Sequence, residues 1–456
     1  MSSNIIVFFT DDHAQWALPC YGNSEIFAPT LSYLAQTGVK MTNAFTPTPV
    51  CSPARASFWT GLYPSQHGIH DHIAEDEDDV KITPWMKDIP TLATYLQESR
   101  YYTGLCGKWH CGAGEEHKSG FDYWYSAWRK TPKYYTPTSK YSDHGNVIEL
   151  GGYDTQIITD GAIRFLRERD AEKPFFLFVG YATTHSPWMN RTERLVSHYR
   201  NASFTDIPDD MPYPFGRGKP EGPALESTAS SKNNEKLAQY YAAVTHIDEM
   251  VGRVLDELDA QDQRNDTLIV YTSDHGLNLG HHHIWGKGNG SRPLNMLDES
   301  IRVPLIINHK DVIEAGQVKT EFTSHTDLFK TILDYANAVP DDSSQFPGTS
   351  FKSLLFDDFE DEWENLYIGE YGTTRAIRNE RYKLILRYPD GEHLLIDMQN
   401  DPREMFNLYD QPEHQEIVEE LKNQIIAFFE RYEVEQHSGL NGNRLPKHNT
   451  QEAWRI

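Results

Sequence analysis

Cysteine is scarce in this chain. Only four of the 456 residues are cysteines, namely Cys20, Cys51, Cys106 and Cys111. So few cysteines in so long a chain exclude a disulfide scaffold, and nothing in their spacing requires Cys106 and Cys111 to pair. The chain must instead fold around an ordinary packed core, which its 38% hydrophobic and 12% aromatic residues can supply.

Long apolar runs are also absent. No stretch approaches the roughly 20 apolar residues that a membrane span needs, and no basic segment followed by an apolar one marks a leader at the N-terminus. The first apolar run, Asn4–Thr10, leads directly into Asp11 and Asp12 and has the pattern of a buried strand. We therefore expect a cytoplasmic protein without a membrane partner, or a periplasmic or secreted one if a leader has been removed.

Positive charge is in deficit. The chain has 42 lysines and arginines against 67 aspartates and glutamates, which gives a formal net charge of −25. Such a surface repels nucleic acid and anionic membranes, so we expect no nucleic-acid partner. It also repels an anionic substrate at long range. A site for an anion must therefore gather its positive charge locally, from a metal ion or from a cluster of basic side chains.

The order of the predicted elements indicates an α/β fold with a mostly parallel central sheet sandwiched by helices. After about Phe356 the pattern changes to short strands followed by one amphipathic helix. We predict a large domain over residues 1–356, and over 357–456 a smaller α+β domain with a short antiparallel sheet and a polar tail. The principal strands are expected at residues 4–10, 101–107, 174–182, 267–273 and 303–308, and the principal helices at 29–37, 89–98, 155–169, 235–259, 326–336 and 417–432.

Two segments interrupt this alternation. Residues 113–150 and 190–232 are rich in Tyr, Trp, Pro, Ser and Asn. We predict that both are long surface insertions at strand ends, where insertions in such folds shape the binding cleft.

Acidic side chains follow two of the predicted strands. Asp11 and Asp12 come directly after the first strand, and Asp274 and His275 follow the strand at 267–273. Because ligands bind at the carboxyl ends of parallel strands, these side chains are expected to meet. Carboxylate oxygens are the ligands that Ca²⁺ and Mg²⁺ prefer, so the pattern predicts a site for a hard cation.

Basic and imidazole side chains follow other strands. Lys108 and His110 come after the strand at 101–107, His185 precedes a Ser-Pro turn, and Lys287 follows a run of three histidines, residues 281–283. Three adjacent histidines could bind a transition metal, but one face of a loop rarely presents all three. We expect one of them, His282, to line the cleft instead.

The segment Cys51-Ser52-Pro53-Ala54-Arg55-Ala56-Ser57-Phe58-Trp59-Thr60-Gly61 resembles the activation signature of the type I sulfatases, within the alkaline phosphatase superfamily. Six motifs of that family occur in order over most of residues 4–340: Asp-Asp, Cys-x-Pro-x-Arg, Gly-Lys-x-His, His-x-Pro, Asp-His-Gly and Lys-Gly. Each motif by itself is ordinary, but the ordered set is specific. The chain departs from the family pattern at Ala54, where serine is common, and at Phe58-Trp59, where an aliphatic pair is usual.

The resemblance implies an alkaline phosphatase-like fold and a modified cysteine. Cys51 would be oxidised to formylglycine by a formylglycine-generating maturation enzyme. One divalent cation, Ca²⁺ with Mn²⁺ or Mg²⁺ as alternatives, would be held by the residues that match the family's ligands: Asp11, Asp12, Cys51, Asp274 and His275. Many relatives have asparagine in place of His275, and an imidazole nitrogen leaves room for a transition ion.

The resemblance also implies catalytic roles. The hydrate of formylglycine 51 would attack sulfur, and collapse of the resulting hemiacetal sulfate would release sulfate. Arg55 would hold the modified group, and His110 would hydrogen-bond it. Lys108 and Lys287 would bind the sulfuryl oxygens, and His185 would protonate the leaving alcohol. The residues expected to bind substrate are Lys108, His185, His282 and Lys287.

The sequence favours a sulfate monoester of a carbohydrate as the substrate, because insertions rich in Tyr and Trp suit a sugar ring. The partner would then be a small sulfated saccharide. A formylglycine-dependent phosphonate monoester or phosphodiester hydrolase is one alternative, and an arylsulfatase of broad specificity is another. A catalytically silent binding protein is a further alternative, but the full set of catalytic residue types argues against it.

Overall fold

The structure of the protein is a computed structural model in which most of the chain is described. The described residues are 3–74, 80, 83–127, 134–208, 211–218, 234–358, 363–451 and 454–455. They form a ten-stranded sheet, a four-stranded sheet and two short two-stranded ribbons.

The strands are, in chain order, β1 (Asn4–Thr10), β2 (Val39–Phe45), β3 (Tyr102–Gly107), β4 (Tyr123–Ala127), β5 (Thr136–Asp143), β6 (Asn146–Gly152), β7 (Phe175–Gly180), β8 (Arg217–Gly218), β9 (Thr267–Ser273), β10 (Asn278–Leu279), β11 (Trp285–Gly286), β12 (Ser291–Arg292), β13 (Leu305–Asn308), β14 (Gln317–Ser324), β15 (Tyr367–Tyr371), β16 (Thr374–Arg378), β17 (Tyr382–Arg387) and β18 (Leu394–Asp397). The large sheet has the order β14-β2-β13-β9-β1-β7-β3-β4-β5-β6. Only β5 and β13 run against the common direction of its strands.

The helices are α1 (Pro29–Gln36), α2 (Cys51–Thr60), α3 (Pro64–His67), α4 (Leu92–Glu98), α5 (Asp154–Glu168), α6 (Glu193–Tyr199), α7 (Asn234–Ala260), α8 (Asp298–Ile301), α9 (His325–Tyr335) and α10 (Gln415–Tyr432). Helices α1, α5 and α7 pack on one face of the large sheet, and α2, α4 and α9 pack on the other. The central strand β1 therefore has no solvent-facing side. Ile6 and Phe8 enter one core while Ile5, Val7 and Phe9 enter the other, which explains why this strand is apolar throughout.

Most of the predicted elements lie where the sequence places them. β1 and β9 have the predicted bounds, and the principal helices begin and end within about three residues of expectation. The strand predicted at 303–308 is present as β13, but it runs antiparallel between β9 and β2.

The prediction that residues 113–150 form a surface insertion is wrong in part. β4 pairs in parallel with β3, and the β5–β6 hairpin extends the large sheet at its edge. Tyr123 and Trp124 of β4 enter opposite cores, so these aromatic residues belong to a strand that is buried on both faces. Of the second predicted insertion, the described residues include α6 and β8, while 209–210 and 219–232 lie outside the described residues.

The four C-terminal strands form the predicted antiparallel sheet, in the order β15-β16-β17-β18. One face packs on α10. The other face packs on the main body, where Tyr367 and Tyr371 share a core with Phe45 and Val50, which lie just before α2. The domain boundary at residue 356 stays a prediction.

The segment after α10 is more ordered than its polar composition indicates. Single-turn helices occupy Glu435–His437 and Gly439–Arg444. Trp454 is fully buried, and its ring stacks on His70 at a centroid distance of 5.3 Å. The C-terminal tail thus packs back onto the segment that follows α2 and α3. Among the helices in the described part of the chain, none is both long and apolar enough to cross a membrane.

Candidate active site

The two acidic clusters lie side by side because β1 and β9 are neighbours. The strands pair in parallel up to Thr10 and Ser273, so both chains leave the sheet at the same edge. The Asp274 amide donates to the Thr10 carbonyl at 3.0 Å, and the Asp12 amide donates to Asp274 Oδ1 at 3.2 Å. The predicted meeting of these side chains is therefore present in the structure.

Residue 51 is the first residue of α2 and is buried over these acids. The helix points its N-terminus, where backbone N–H groups favour negative charge, at the same sheet edge. Cys51 Sγ lies 3.4 Å from Asp11 Oδ1, 3.4 Å from His275 Nε2 and 2.7 Å from Lys287 Nζ. The sulfur of the encoded cysteine marks the position that the oxygen of an oxidised residue 51 would occupy.

Three basic side chains each pair with one of the carboxylates. Arg55 lies one turn after Cys51 on α2, and its Nε donates to Asp274 Oδ2 at 3.0 Å with both side chains fully buried. Lys108, directly after β3, donates to Asp11. Lys287 Nζ donates to Asp12 Oδ1 at 2.6 Å. Three positive groups are thus gathered around three carboxylates, so the protein supplies positive charge locally although its overall charge is negative.

The pKa values of the acidic groups reflect this crowding. Burial raises the pKa of the Cys51 thiol, but Lys108 and Lys287 outweigh burial and hold it well below its usual range. Burial and the neighbouring Asp11 raise the pKa of Asp274 to about 7. Two carboxylates this close resist being ionised together. A bound cation would relieve that repulsion.

The histidines of the site differ in charge. Burial lowers the pKa of His275, but the Asp274 carboxylate outweighs burial and raises it. Burial and the charge of Lys108 lower the pKa of His110 to about 3, which keeps that ring neutral. His185 Nδ1 is held at 2.6 Å by the Ser186 carbonyl, so its Nε2 points elsewhere and lies 4.0 Å from Asp12 Oδ2.

The donor set fits a divalent cation. Two overlapping groups have ligand atoms within 4.8 Å of one another: Asp11, Asp12, Cys51 and His185, and Asp11, Cys51, Asp274 and His275. The carboxylate oxygens in these groups favour a hard cation, and a cation would stabilise the charged form of Asp274, which burial and the neighbouring Asp11 disfavour.

The structure brings all but one of the predicted site residues together. The residues that converge are Asp11, Asp12, Cys51, Arg55, Lys108, His110, His185, Asp274, His275 and Lys287. His282 is buried elsewhere, with its Nε2 3.4 Å from Glu299 Oε2 and its ring against Tyr213. Its expected role in binding substrate stays a prediction.

Sequence reasoning missed the residues that hold the site in shape. Asn295 Nδ2 donates to the carbonyls of Lys287 and Gly288, which fixes the loop that carries the lysine. The Ile73 amide donates to Ser52 Oγ at 2.9 Å, and His110 Nε2 lies 3.1 Å from the Ile73 carbonyl. No local pattern marks these residues, because their function depends on contacts distant in sequence.

Two family models match this chain. Residues 3–338 match the family model described as Sulfatase, and residues 293–431 match N-sulphoglucosamine sulphohydrolase, C-terminal. The chain is 28% identical to an N-acetylglucosamine-6-O-sulfatase of Bacteroides thetaiotaomicron, over 92% of this chain and 84% of the relative. It is 27% identical to an arylsulfatase of Clostridium perfringens, over 98% of each chain.

The fold of this chain is also similar to that of a solved structure. A protein in complex with its substrate D-glucosamine-2-N,6-O-disulfate has a TM-score of 0.79 and 26% identity, covering 95% of this chain and 98% of that one. The predicted fold class, a mostly parallel sheet of the alkaline phosphatase type with a small antiparallel sheet, is confirmed. Because the family model spans residues 3–338, this chain belongs to the sulfatase family and is a sulfuric ester hydrolase.

Proposed function

We propose that this protein hydrolyses a sulfate monoester on a carbohydrate, with residue 51 as the nucleophile after oxidation to formylglycine. The observation that carries the proposal is the arrangement of basic side chains around buried Cys51 at the N-terminus of α2: Lys287 contacts its sulfur, while Arg55 and Lys108 bind Asp274 and Asp11 beside it. Positive groups fixed in advance around a reacting anion stabilise the charge that develops in the transition state.

The acidic side of the site would hold one divalent cation. Asp11, Asp12, Asp274 and His275, together with residue 51, are the residues that would bind it, and their oxygens favour Ca²⁺, with Mg²⁺ or Mn²⁺ as alternatives. When bound, the ion would supply positive charge next to the nucleophile and the sulfuryl oxygens.

The bond changes at residue 51 balance without an oxidant once the aldehyde is present. One hydroxyl of its hydrate has lost a proton to solvent, which the same two lysines that lower the pKa of the Cys51 thiol would favour. Its oxygen bonds to sulfur while the bond from sulfur to the ester oxygen breaks. The second hydroxyl then passes its proton to the neutral His110, the carbonyl re-forms and sulfate leaves. Water restores the hydrate, whereas a serine sulfate would need a second attack.

The leaving alcohol requires a proton. His185 is the proposed donor, because its Nδ1 is engaged by the Ser186 carbonyl and its partly exposed ring is directed at Asp12 beside the nucleophile. Lys108 and Lys287 would bind the sulfuryl oxygens on the other side. In this arrangement His185 supplies acid catalysis, and Lys108 and Lys287, on other loops at the sheet edge, stabilise charge.

The carbohydrate substrate is proposed from the relatives. One relative is an N-acetylglucosamine-6-O-sulfatase, and a similar solved structure contains D-glucosamine-2-N,6-O-disulfate as its substrate. A glucosamine sulfate is therefore the first substrate to test.

The test has two parts. Mass spectrometry of the tryptic peptide 41–55 should show a loss of about 18 Da relative to the encoded cysteine, as oxidation to the aldehyde requires. Turnover should then be compared by sulfate release from D-glucosamine-2-N,6-O-disulfate and 4-nitrophenyl sulfate, and by phenol release from a phenyl phosphonate monoester. The expected order of kcat/KM is sugar sulfate, aryl sulfate, phosphonate. Faster turnover of the phosphonate would contradict the proposed reaction, and an unmodified peptide from an active enzyme would contradict the nucleophile.

A further inference from the structure

The segment Asp71–Ala74 is fastened directly beside the nucleophile. The Ile73 amide donates to the hydroxyl of Ser52, the residue next to Cys51, and the Ile73 carbonyl is bound by His110. The preceding residue, His72, is therefore held close to the reacting group through its own backbone. Its side chain is 32% exposed, in contrast to the buried residues on either side.

The C-terminal tail fastens the same segment from the outside. The Ala74 amide donates to the His448 carbonyl at 2.8 Å, and the His70 amide donates to His448 Nε2 at 3.0 Å. Asn449 Nδ2 lies 3.1 Å from Asp71 Oδ2 and 3.0 Å from the His72 carbonyl. The tail thus defines where Asp71 and His72 stand.

Asp71 and His72 form an oriented pair. Tyr371 Oη donates to Asp71 Oδ1 at 2.7 Å, and His72 donates to the same oxygen from its amide at 2.8 Å. His72 Nδ1 lies 3.3 Å from Asp71 Oδ1. Burial raises the pKa of Asp71, but its bonds to His72 and Tyr371 outweigh burial and lower it to about 2. Asn449 Nδ2 also lies 3.3 Å from His72 Nδ1. These partners engage Nδ1 and leave Nε2 as the ring nitrogen for a ligand.

The position of Tyr371 places this pair at the rim of the active site. Tyr371 shares a core with Val50, the residue before Cys51, and the Glu370 amide donates to the Pro47 carbonyl at 2.9 Å. Burial, the Asp71 carboxylate and the nearby charge of Cys51 raise the pKa of the Tyr371 hydroxyl well above its ordinary value. The hydroxyl therefore lies within electrostatic reach of the nucleophile while bonding the carboxylate that orients His72.

We propose that His72 binds a hydroxyl of the sugar that carries the sulfate ester, through Nε2, and that Asp71, Tyr371 and Asn449 are its positioning residues. This binding site for the leaving group is assembled from the segment after α3, the end of β15 and the C-terminal tail. The inference rests on the proposed function, because it requires a substrate that bears hydroxyl groups. A neutral imidazole Nε2 accepts from such a group, and a protonated one donates to it.

A purely anchoring role for the pair makes a different prediction. Asn449 of the tail contacts the Asp71 carboxylate, the His72 carbonyl and His72 Nδ1, and none of these contacts uses Nε2. If the pair only anchors the tail, truncating the imidazole should affect every substrate alike.

The test compares His72→Ala with a matched control. His144 also follows an aspartate, Asp143, and is also partly exposed, but it lies in the β5–β6 hairpin at the edge of the sheet. The measured quantity is the ratio of kcat/KM for D-glucosamine-2-N,6-O-disulfate to kcat/KM for 4-nitrophenyl sulfate, which has no sugar hydroxyls. His72→Ala should lower this ratio about tenfold, the loss of one hydrogen bond to substrate, and His144→Ala should change it by less than about twofold.

The variant Asn449→Ala tests the positioning role of Asn449 separately from the binding role of His72. It keeps the imidazole but removes the amide that holds Asp71 and the His72 backbone, so the same ratio should fall by about threefold. The melting temperature of each variant shows whether the fold is retained. An unchanged ratio in His72→Ala overturns the binding site and leaves the proposed function standing. A wild-type enzyme that cleaves the aryl sulfate but no sugar sulfate overturns both.

Discussion

Two of the buried clusters that contain histidine are built on opposite principles. Around Cys51, charged groups of both signs are packed together, and the Asp274 carboxylate raises the pKa of His275 although burial opposes it. Where the C-terminal tail meets the segment after α3, burial lowers the pKa of His70 to about 3 and that of His448 to about 4. Opposed charges hold the first cluster together, whereas the second is held by hydrogen bonds and by the packing of the uncharged rings of His70 and His448.

The difference has a functional meaning. A site that must bind an anion and a cation needs ionised groups, and it retains them in a buried position by pairing each acid with a base. The tail interface has to hold the segment Asp71–Ala74 in position. Neutral imidazoles can do this because each donates a hydrogen bond from one ring nitrogen and accepts one at the other. We therefore expect a metal ion to change the activity and stability that depend on the first cluster, and acidic pH to weaken the second.

The largest effect is expected from Cys51→Ala. Loss of the nucleophile should lower kcat for sulfate release by at least about 10⁴-fold, while the tail interface is untouched. Sulfate release and the melting temperature measure the two consequences. Cys20→Ala, at a half-buried thiol that is not among the active-site residues, should leave activity near the wild-type level. Residual activity above about a hundredth of wild type in Cys51→Ala would show that another group attacks sulfur.

Removal of the cation comes next. Chelation should lower activity by about a hundredfold or more, and adding back Ca²⁺ should restore it. A cation at 100 times its dissociation constant should also stabilise the folded state by about 2.7 kcal/mol, which appears as a higher melting temperature. Cys51→Ala keeps four of the proposed ligands, so it should still show the shift. No response of the wild-type enzyme to chelator would refute the cation site.

Trp454→Ala should weaken the tail interface specifically. The indole is fully buried between His70, His448 and Gly372, and its loss should cost about 3 kcal/mol. Limited proteolysis should then cleave the tail faster, with little change in the cation-dependent rise of the melting temperature. Phe406→Ala, at a ring that is 69% exposed, should have almost no effect on either measurement. If Trp454→Ala abolishes cation binding instead, the two clusters are not independent.

The smallest expected effect is the loss of folding stability at acidic pH. The folded-state pKa of His70 lies at about 3, below its ordinary value of 6.5, because of burial. The unfolded chain therefore binds a proton that the folded chain excludes, and stability is lost as the pH falls below about 6.5. This histidine should contribute about 1.4 kcal/mol per pH unit between pH 6 and 4.

His70→Gln should remove that contribution. Glutamine can donate to the His437 carbonyl as His70 Nε2 does, but it does not titrate. Chemical unfolding at pH 7 and pH 5 should show a smaller loss of stability in the variant than in the wild type. An equal loss would mean that His70 is accessible to protons in the folded protein.

Much of the active site could be predicted from the sequence. Asp11 and Asp274 were identified because buried parallel strands are apolar throughout, so the first acid after each strand marks its carboxyl end. The role of the tail could not be predicted in this way. Asn449 reaches Asp71 across 378 residues of sequence, and a polar stretch with few apolar residues resembles a solvated tail until its partner is known. The aromatic residues of β4 were misinterpreted for a related reason, since their alternation between two cores is visible only in the sheet.

By itself, the sequence determined which chemical groups this protein can use. The residue types at the strand ends predict an anion site and a cation, and the segment from Cys51 to Gly61 predicts a modified nucleophile by its resemblance to the sulfatase signature, because local pattern and charge are properties of the chain. Only the tertiary structure decided which surfaces enclose that site. The order of the strands, the packing of the small sheet against the loop before Cys51 and the position of His72 all depend on contacts between distant segments, and such contacts leave no local signal.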